Sequence, residues 1–348
     1  MKFDLNKITR ENIKKVVPYS SARDEFSGEA KIFLDANENS LGSPLTKWYN
    51  RYPDPHQAKL KDAISKIKGI STEYIFIGNG SDECIDLLYR CFCEPGKDNV
   101  IICPPTYGMY EVSAAINDVE VKKVSLLENF QLDLDGIEAA ADEHTKIIWI
   151  CSPNNPTGNS ISYHDIELLL NNFYGLIVID EAYINFARQR SLVQALPEYP
   201  NLVVMQTLSK AWGLAGLRLG MTFAGKAIIE LMDRIKPPYN ISQAAQELAL
   251  KALEEVGQVN DMIKDIVRMR KELAEKLRPI HFVEKVYPSD ANFLLVKVTD
   301  AVKVYDHLLE SGIVVRDRSK VQLCDGCLRI TIGTENENQK LLEVLNKF

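Results

Sequence analysis

The sequence predicts an α/β protein: a large domain on a mostly parallel, seven-stranded sheet covered by helices on both faces, followed by a smaller α+β domain. Three observations carry this expectation. From about residue 45 to residue 235, short apolar runs of strand length alternate with amphipathic helical patterns, as in a parallel sheet buried on both sides. The alternation breaks at Lys236-Pro237-Pro238-Tyr239. The chain, 348 residues of which 46% are hydrophobic and 26% charged, has the length of about two domains and enough apolar side chain to offset ordering entropy.

Residues 1–44, rich in Asn, Glu and Ser, read as an arm, residues 45–240 as the large domain and 241–348 as the small one. Ile75–Gly78 reads as a strand and Ser81–Cys93 as a helix, with Cys84, Ile85, Leu87, Leu88 and Cys91 at helical spacing. Asn99–Cys103 (strand), Tyr107–Ile116 (helix), Val119–Val124 (strand), Leu134–Ala141 (helix) and Lys146–Cys151 (strand) follow. Ser162–Phe173 is the next helix, and Leu176–Asp180, Leu202–Thr207 and Leu219–Phe223 complete seven strands. Beyond the proline pair, Ser242–Arg278 reads as a long helical stretch that Gly257 weakens and divides. Strand Asn292–Val298, helix Ala301–Ser311, strands Ile313–Arg316 and Cys327–Ile332, and helix Glu335–Lys347 close the chain.

The formal charge of −7, without any block of Lys or Arg, argues against nucleic acid or anionic membrane as the main partner. No apolar run approaches the ~20 residues of a membrane helix. The start, broken by Asp4, Arg10, Glu11, Lys14 and Lys15, has no signal-peptide core. Seven cysteines in such a chain suggest free thiols and a cytoplasmic setting. Cys324-Asp-Gly-Cys327 has no second pair to complete a zinc site, and the five histidines are scattered, so no metal is expected.

Four segments carry chemistry. In Thr207-Leu-Ser-Lys210-Ala-Trp-Gly-Leu-Ala-Gly-Leu-Arg218, small residues around Lys210 leave room for a planar group and desolvate the amine, lowering its pKa toward a nucleophile's. Ser209 and Arg218 are phosphate donors there; the plainer reading is a Gly-rich loop with an exposed lysine. In Leu176-Ile-Val-Ile-Asp180-Glu-Ala-Tyr183 a carboxylate ends an apolar strand, where open α/β sheets bind ligands. Asp180 suits a protonated ring nitrogen and Tyr183 a phenolate oxygen, although a helix cap or a Mg²⁺ site has the same pattern. Cys151-Ser-Pro-Asn-Asn155-Pro-Thr-Gly158 is a rigid turn that aims the Asn155 amide. Gly78-Asn-Gly80-Ser81-Asp82-Glu83 fails the dinucleotide pattern at Glu83, leaving a helix start that offers N–H groups to one phosphate, or simply a capped helix.

Asn155, Asp180, Lys210 and Arg218, in this order and on these strand ends, resemble the pyridoxal-phosphate aminotransferases with the aspartate aminotransferase fold (fold type I). Arg51-Tyr52-Pro-Asp-Pro, Pro105-Thr-Tyr107 and Cys327-Leu-Arg329-Ile-Thr-Ile-Gly333 are most similar to the histidinol-phosphate aminotransferases among them. The resemblance implies pyridoxal 5'-phosphate as cofactor, with Lys210 as the Schiff-base lysine and Asp180 as partner of the ring nitrogen. It implies Asn155 and Tyr183 on the phenolate oxygen, Tyr107 stacked on the ring, and Ser81, Asp82, Ser209 and Arg218 around the phosphate. Tyr52 would reach the neighbouring subunit's cofactor in a homodimer, and the arm would pack with the small domain and that partner. Tyr19, Arg316 and Arg329 would face the substrate. The implied activity is ping-pong transfer of an amino group between glutamate and histidinol phosphate, in histidine biosynthesis. The alternatives are an aromatic aminotransferase or amino-acid-phosphate decarboxylase on the same scaffold, and, more distantly, a non-catalytic regulator that senses the cofactor.

Overall fold

The structure, a computed structural model, describes residues 3–19 and 32–348. The alternating segments form strands β1 (Ile75–Asn79), β2 (Asn99–Ile102), β3 (Glu120–Lys123), β4 (Thr145–Cys151), β5 (Leu176–Asp180), β6 (Leu202–Thr207) and β7 (Leu219–Ala224). They build one seven-stranded sheet in the order β1-β7-β6-β5-β4-β2-β3. All run parallel except β7, which is antiparallel to both of its neighbours.

Helices before the second sheet are α1 (Leu5–Ile8), α2 (Glu11–Lys15), α3 (Ala58–Lys68), α4 (Gly80–Phe92), α5 (Met109–Ile116), α6 (Leu134–Ala140), α7 (Tyr163–Asn172), α8 (Lys226–Ile235), α9 (Gln243–Leu253) and α10 (Val256–Leu277). Side chains alternate across a strand, so each central strand feeds two cores. Ile177 and Ile179 of β5 join α3, α7 and α9 on one face, whereas Leu176 and Val178 join α4, α5 and α8 on the other. Each fully buried side chain of this kind is worth roughly 1.5–3 kcal/mol, which is why these strands read as unbroken apolar runs.

The second sheet, β10-β11-β9-β8, is wholly antiparallel and uses β8 (Val283–Val286), β9 (Phe293–Val298), β10 (Arg316–Asp317) and β11 (Cys327–Thr331). α11 (Ala301–Glu310), α12 (Glu335–Leu345) and the end of α10 cover it through Val304, Leu308, Leu341, Leu345, Leu273 and Leu277. Thr334 and Glu337 start α12 with a capping box.

Several elements differ from the sequence reading. The long helical stretch divides at Glu254-Glu255, ahead of Gly257, which α10 absorbs in its first turn. Of the strand expected at 313–316, only Arg316 enters a ladder, because the Ile313 N–H returns to Leu308 O to finish α11. Residues 5–15 of the arm lie against the larger sheet's helices, not the smaller unit: Ile8 and Ile13 complete the core beside α4 and α8. The Arg10 guanidinium also bonds Arg90 O at 2.9 Å and Glu94 at 3.2 Å. The rest of the arm between residues 20 and 31 lies outside the described residues. α3, α8 and the short edge strand β8 were not singled out in the sequence.

Candidate active site

Sheet order decides which turns meet. In the parallel set β4-β5-β6, Cys151 stands opposite Asp180 and Asp180 opposite Met205, so the turns after these strands open on one edge. β7 runs the other way, so its start reaches that same edge, with Gly220 between Thr207 and Gly78. This is the carboxyl edge at which open α/β sheets bind ligands. A cavity of about 620 Å³ lies there, lined from both sheets.

Part of the cavity wall offers donors suited to an anion. α4 begins at Gly80, with φ +77°, and the N–H groups of a first helical turn lack intrahelical partners. A Cβ on Gly220 would stand 2.4 Å from the Gly80 carbonyl carbon and 2.5 Å from the Ser81 nitrogen, so only glycine lets β7 lie against the start of α4. A Cβ on Gly80 would stand 2.6 Å from the Arg218 guanidinium. Arg218 Nη2 donates to Asp82 Oδ2 at 3.3 Å, and the Tyr107 hydroxyl donates to Asp82 Oδ1 at 3.2 Å. Ser209 donates its N–H to Thr207 Oγ1 at 3.1 Å and its hydroxyl accepts from the Thr207 hydroxyl at 3.0 Å; with Ser81 and Arg218 it lines the wall.

The middle of the cavity holds a buried carboxylate and an amine. Asp180 is 3% exposed and accepts from the Tyr110 hydroxyl at 2.7 Å and the Ala182 N–H at 3.0 Å. It has no ion-pair partner among the described residues, and burial pushes its pKa up. Tyr110 is itself fully buried and stacks on Trp149 at 4.9 Å. Lys210 Nζ lies 5.7 Å from the Tyr183 ring centre. Burial first, then the charges of Arg329 and Arg218, hold its pKa below the ordinary lysine range, with Asp180 opposing. Asn155 Nδ2 donates to the Tyr183 hydroxyl at 3.5 Å, and its Oδ1 accepts from Arg329. Burial also pushes the Tyr183 phenol up.

The far end is arginine-rich: Arg316, Arg318 and Arg329 all line it, and the Arg329 guanidinium lies 5.3 Å from the Phe293 ring centre. Two residues singled out in the sequence stand outside the cavity of their own chain. Tyr19 is exposed, and Tyr52 stacks on Tyr239 at 4.4 Å in a separate surface recess. Conversely, Tyr110, Thr207 and Arg318 were not singled out. Tyr110 was detectable only as a tyrosine three residues beyond Tyr107 on a helical pattern.

These groups fit pyridoxal phosphate. The buried Asp180 lacks a cation and suits a ring N–H⁺, the start of α4 with Ser209 and Arg218 suits a phosphate, and the Lys210 amine lines the same cavity as these groups and the arginines. Residues 35–345 match the family described as Aminotransferase class I and II. The chain belongs to this aminotransferase family. It is 55% identical to the histidinol-phosphate aminotransferase of Cytophaga hutchinsonii over 348 residues, the whole of both chains. Among solved structures, the histidinol-phosphate aminotransferase from Clostridium acetobutylicum is 28% identical, with a TM-score of 0.79 over 86% of this chain and 90% of that one. The histidinol-phosphate aminotransferase from Sinorhizobium meliloti, solved in complex with pyridoxal-5'-phosphate, shares the aminotransferase fold at 24% identity, with a TM-score of 0.80 over 90% of this chain and 89% of that one.

Proposed function

We propose that this chain is a histidinol-phosphate aminotransferase of histidine biosynthesis, moving an amino group between glutamate/2-oxoglutarate and histidinol phosphate/imidazole acetol phosphate, with pyridoxal 5'-phosphate as cofactor. The observation that carries the chemistry is one cavity holding a depressed-pKa amine, a buried unpaired carboxylate, an anion cradle and a cluster of arginines. Full-length likeness to histidinol-phosphate aminotransferases supports the substrate, and the aromatic aminotransferase, decarboxylase and regulator readings have no comparable support.

Ser81, Asp82, Ser209, Arg218 and the first turn of α4 would hold the cofactor's phosphate, and Tyr107 would cover one face of its ring. Bound there, the cofactor supplies an electron sink for the pair left at the substrate's α-carbon when its proton departs. Asp180 would hold a proton on the cofactor's ring nitrogen, and Tyr110 holds the carboxylate in place. Asn155 and Tyr183 would donate to the phenolate oxygen. Lys210, whose pKa is pressed down by burial and the neighbouring cations, would take the proton from the substrate's α-carbon and hold it for return. Arg316 and Arg329 would anchor the substrate's anions in the two half-reactions, and Tyr19, which stands outside the cavity, would have to reach it from the arm.

The same reading includes a homodimer in which Tyr52 serves the partner's site, and a cytoplasmic setting. Support for the dimer comes from Leu34, Leu41 and Trp48, exposed at 83%, 95% and 73%. Support for the setting comes from seven free, buried cysteines; no helix among the described residues is long and apolar enough to cross a membrane. The test is to mix purified protein with histidinol phosphate and 2-oxoglutarate and assay glutamate. Glutamate formation is expected; formation from phenylalanine alone would favour an aromatic aminotransferase.

A further inference from the structure

The β10–β11 ladder sets Arg316 opposite Arg329 and Asp317 opposite Leu328. It continues one step past β10, where the Arg318 N–H donates to Cys327 O at 2.9 Å. Alternation along a strand therefore puts Arg318 on the same face as Arg316, with Arg329 across the ladder on that face. All three line the cavity, and none has an ion-pair partner among the described residues. The cavity's two carboxylates are occupied elsewhere: Asp82 accepts from Arg218 and Tyr107, and Asp180 accepts from Tyr110. Arg329 is partly satisfied by Asn155 and the Phe293 ring. Arg318 is not: its Nε–H is buried with no partner. Burial and the neighbouring Arg316 charge press its pKa down, so the site bears an unrelieved electrostatic cost that a bound anion would remove.

Two anions use this end in turn. A carboxylate has two oxygens, which a single guanidinium fork can satisfy. A phosphate monoester has about −1.5 to −2 charge and three acceptor oxygens, and so needs donors from more than one direction. Arg316 and Arg318, two residues apart on one strand face, are about 6.5–7 Å apart at Cα, a gap their long side chains close around one tetrahedral group.

We propose that Arg318 is a specificity residue for the phosphorylated substrate, giving its guanidinium fork to the phosphate monoester while glutamate's carboxylate relies on Arg316 and Arg329. This rests on histidinol phosphate being the substrate. In the holoenzyme, Arg318→Gln should lower kcat/KM for histidinol phosphate by about 10–100-fold, mainly through KM, which is about 1.4–2.7 kcal/mol. The loss for glutamate should be at least about tenfold smaller, and Arg318→Lys should recover part of the difference. Equal losses for both substrates, or no loss, overturn the proposal. Should Arg318→Gln melt well below the wild type, Arg318→Lys carries the comparison, with a preferential loss for histidinol phosphate still required. If the wild type does not turn over histidinol phosphate, the substrate reading fails by itself, and a second measurement decides Arg318. Inorganic phosphate should then raise the holoenzyme's melting midpoint, and Arg318→Gln should need at least about tenfold more phosphate for the same rise. No rise in the wild type, or an unaltered titration in the variant, overturns the assignment.

Discussion

A buried carboxylate and a lysine amine line one cavity, and each is displaced from its ordinary protonation range mainly by desolvation. For Lys210 the stability consequence has a definite sign. Its folded pKa is lowered, so between that value and the ordinary lysine range near ~10.4 the unfolded chain binds more protons, and stability gains from rising pH. Below that window the charged amine burdens the fold. Lys210→Met should therefore raise the melting midpoint of the cofactor-free protein near neutral pH, and the advantage should shrink as pH climbs through the window. A gap independent of pH would mean that Lys210 carries no buried-charge penalty. Asp180→Ala addresses the opposite partner. Borohydride should still fix the cofactor to Lys210, whereas turnover should fall by at least about 100-fold because the ring nitrogen loses its proton; Asp180→Glu should be milder. Near-native turnover in Asp180→Ala would reduce Asp180 to a structural group. Both residues were legible in the sequence because each sits at a strand end among distinctive neighbours. Tyr110 and Arg318 were not, since a helix packed on Trp149 and a ladder that outlasts its strand create their surroundings.

At the scale of elements, the phosphate cradle depends on how closely β7 meets α4. Gly220→Ala would put a methyl 2.4–2.5 Å from the backbone of Gly80 and Ser81, which can yield only by moving the start of α4. Overpacking of this kind costs about 1–3 kcal/mol, so the urea midpoint should fall and cofactor should dissociate more readily on dialysis. Gly257→Ala is the control: its added Cβ meets nothing within 4 Å inside α10, so it should stabilise by up to about 1 kcal/mol. Equal effects of the two variants would mean that the close approach is unimportant. The same elements show what a linear reading can reach. Alternating apolar runs disclosed the strands of the large sheet, because both of its faces are buried. The reversal of β7 was not disclosed, since an apolar run reads alike in either direction, and the reversal brings Arg218 to the site. β10 was misjudged because a two-residue ladder has no period to detect.

For the whole molecule, the open question is whether one chain completes its own site. Tyr52 is half exposed and lies in a recess with Tyr239, apart from the cavity that holds Lys210. The sequence pattern around Tyr52 was legible, but its destination depends on assembly, which no intrachain periodicity encodes. If the exposed Leu34, Leu41 and Trp48 are covered by a second copy, sedimentation should give a dimer, and each site should draw its Tyr52 from the opposite chain. Complementation separates this from a merely structural role. Tyr52→Ala and Lys210→Ala should each be severely impaired alone. In a hybrid dimer with exchanged sites, one site carries both lesions and the other carries neither. Random exchange of equal amounts makes about half of the dimers hybrid, so activity should recover to about a quarter of the wild-type value. If the site is built within one chain, each hybrid site keeps a single lesion and no activity returns even after exchange is demonstrated by mass-tagged subunits. Recovery near a quarter, rising on the timescale of exchange, would assign Tyr52 to the partner's site.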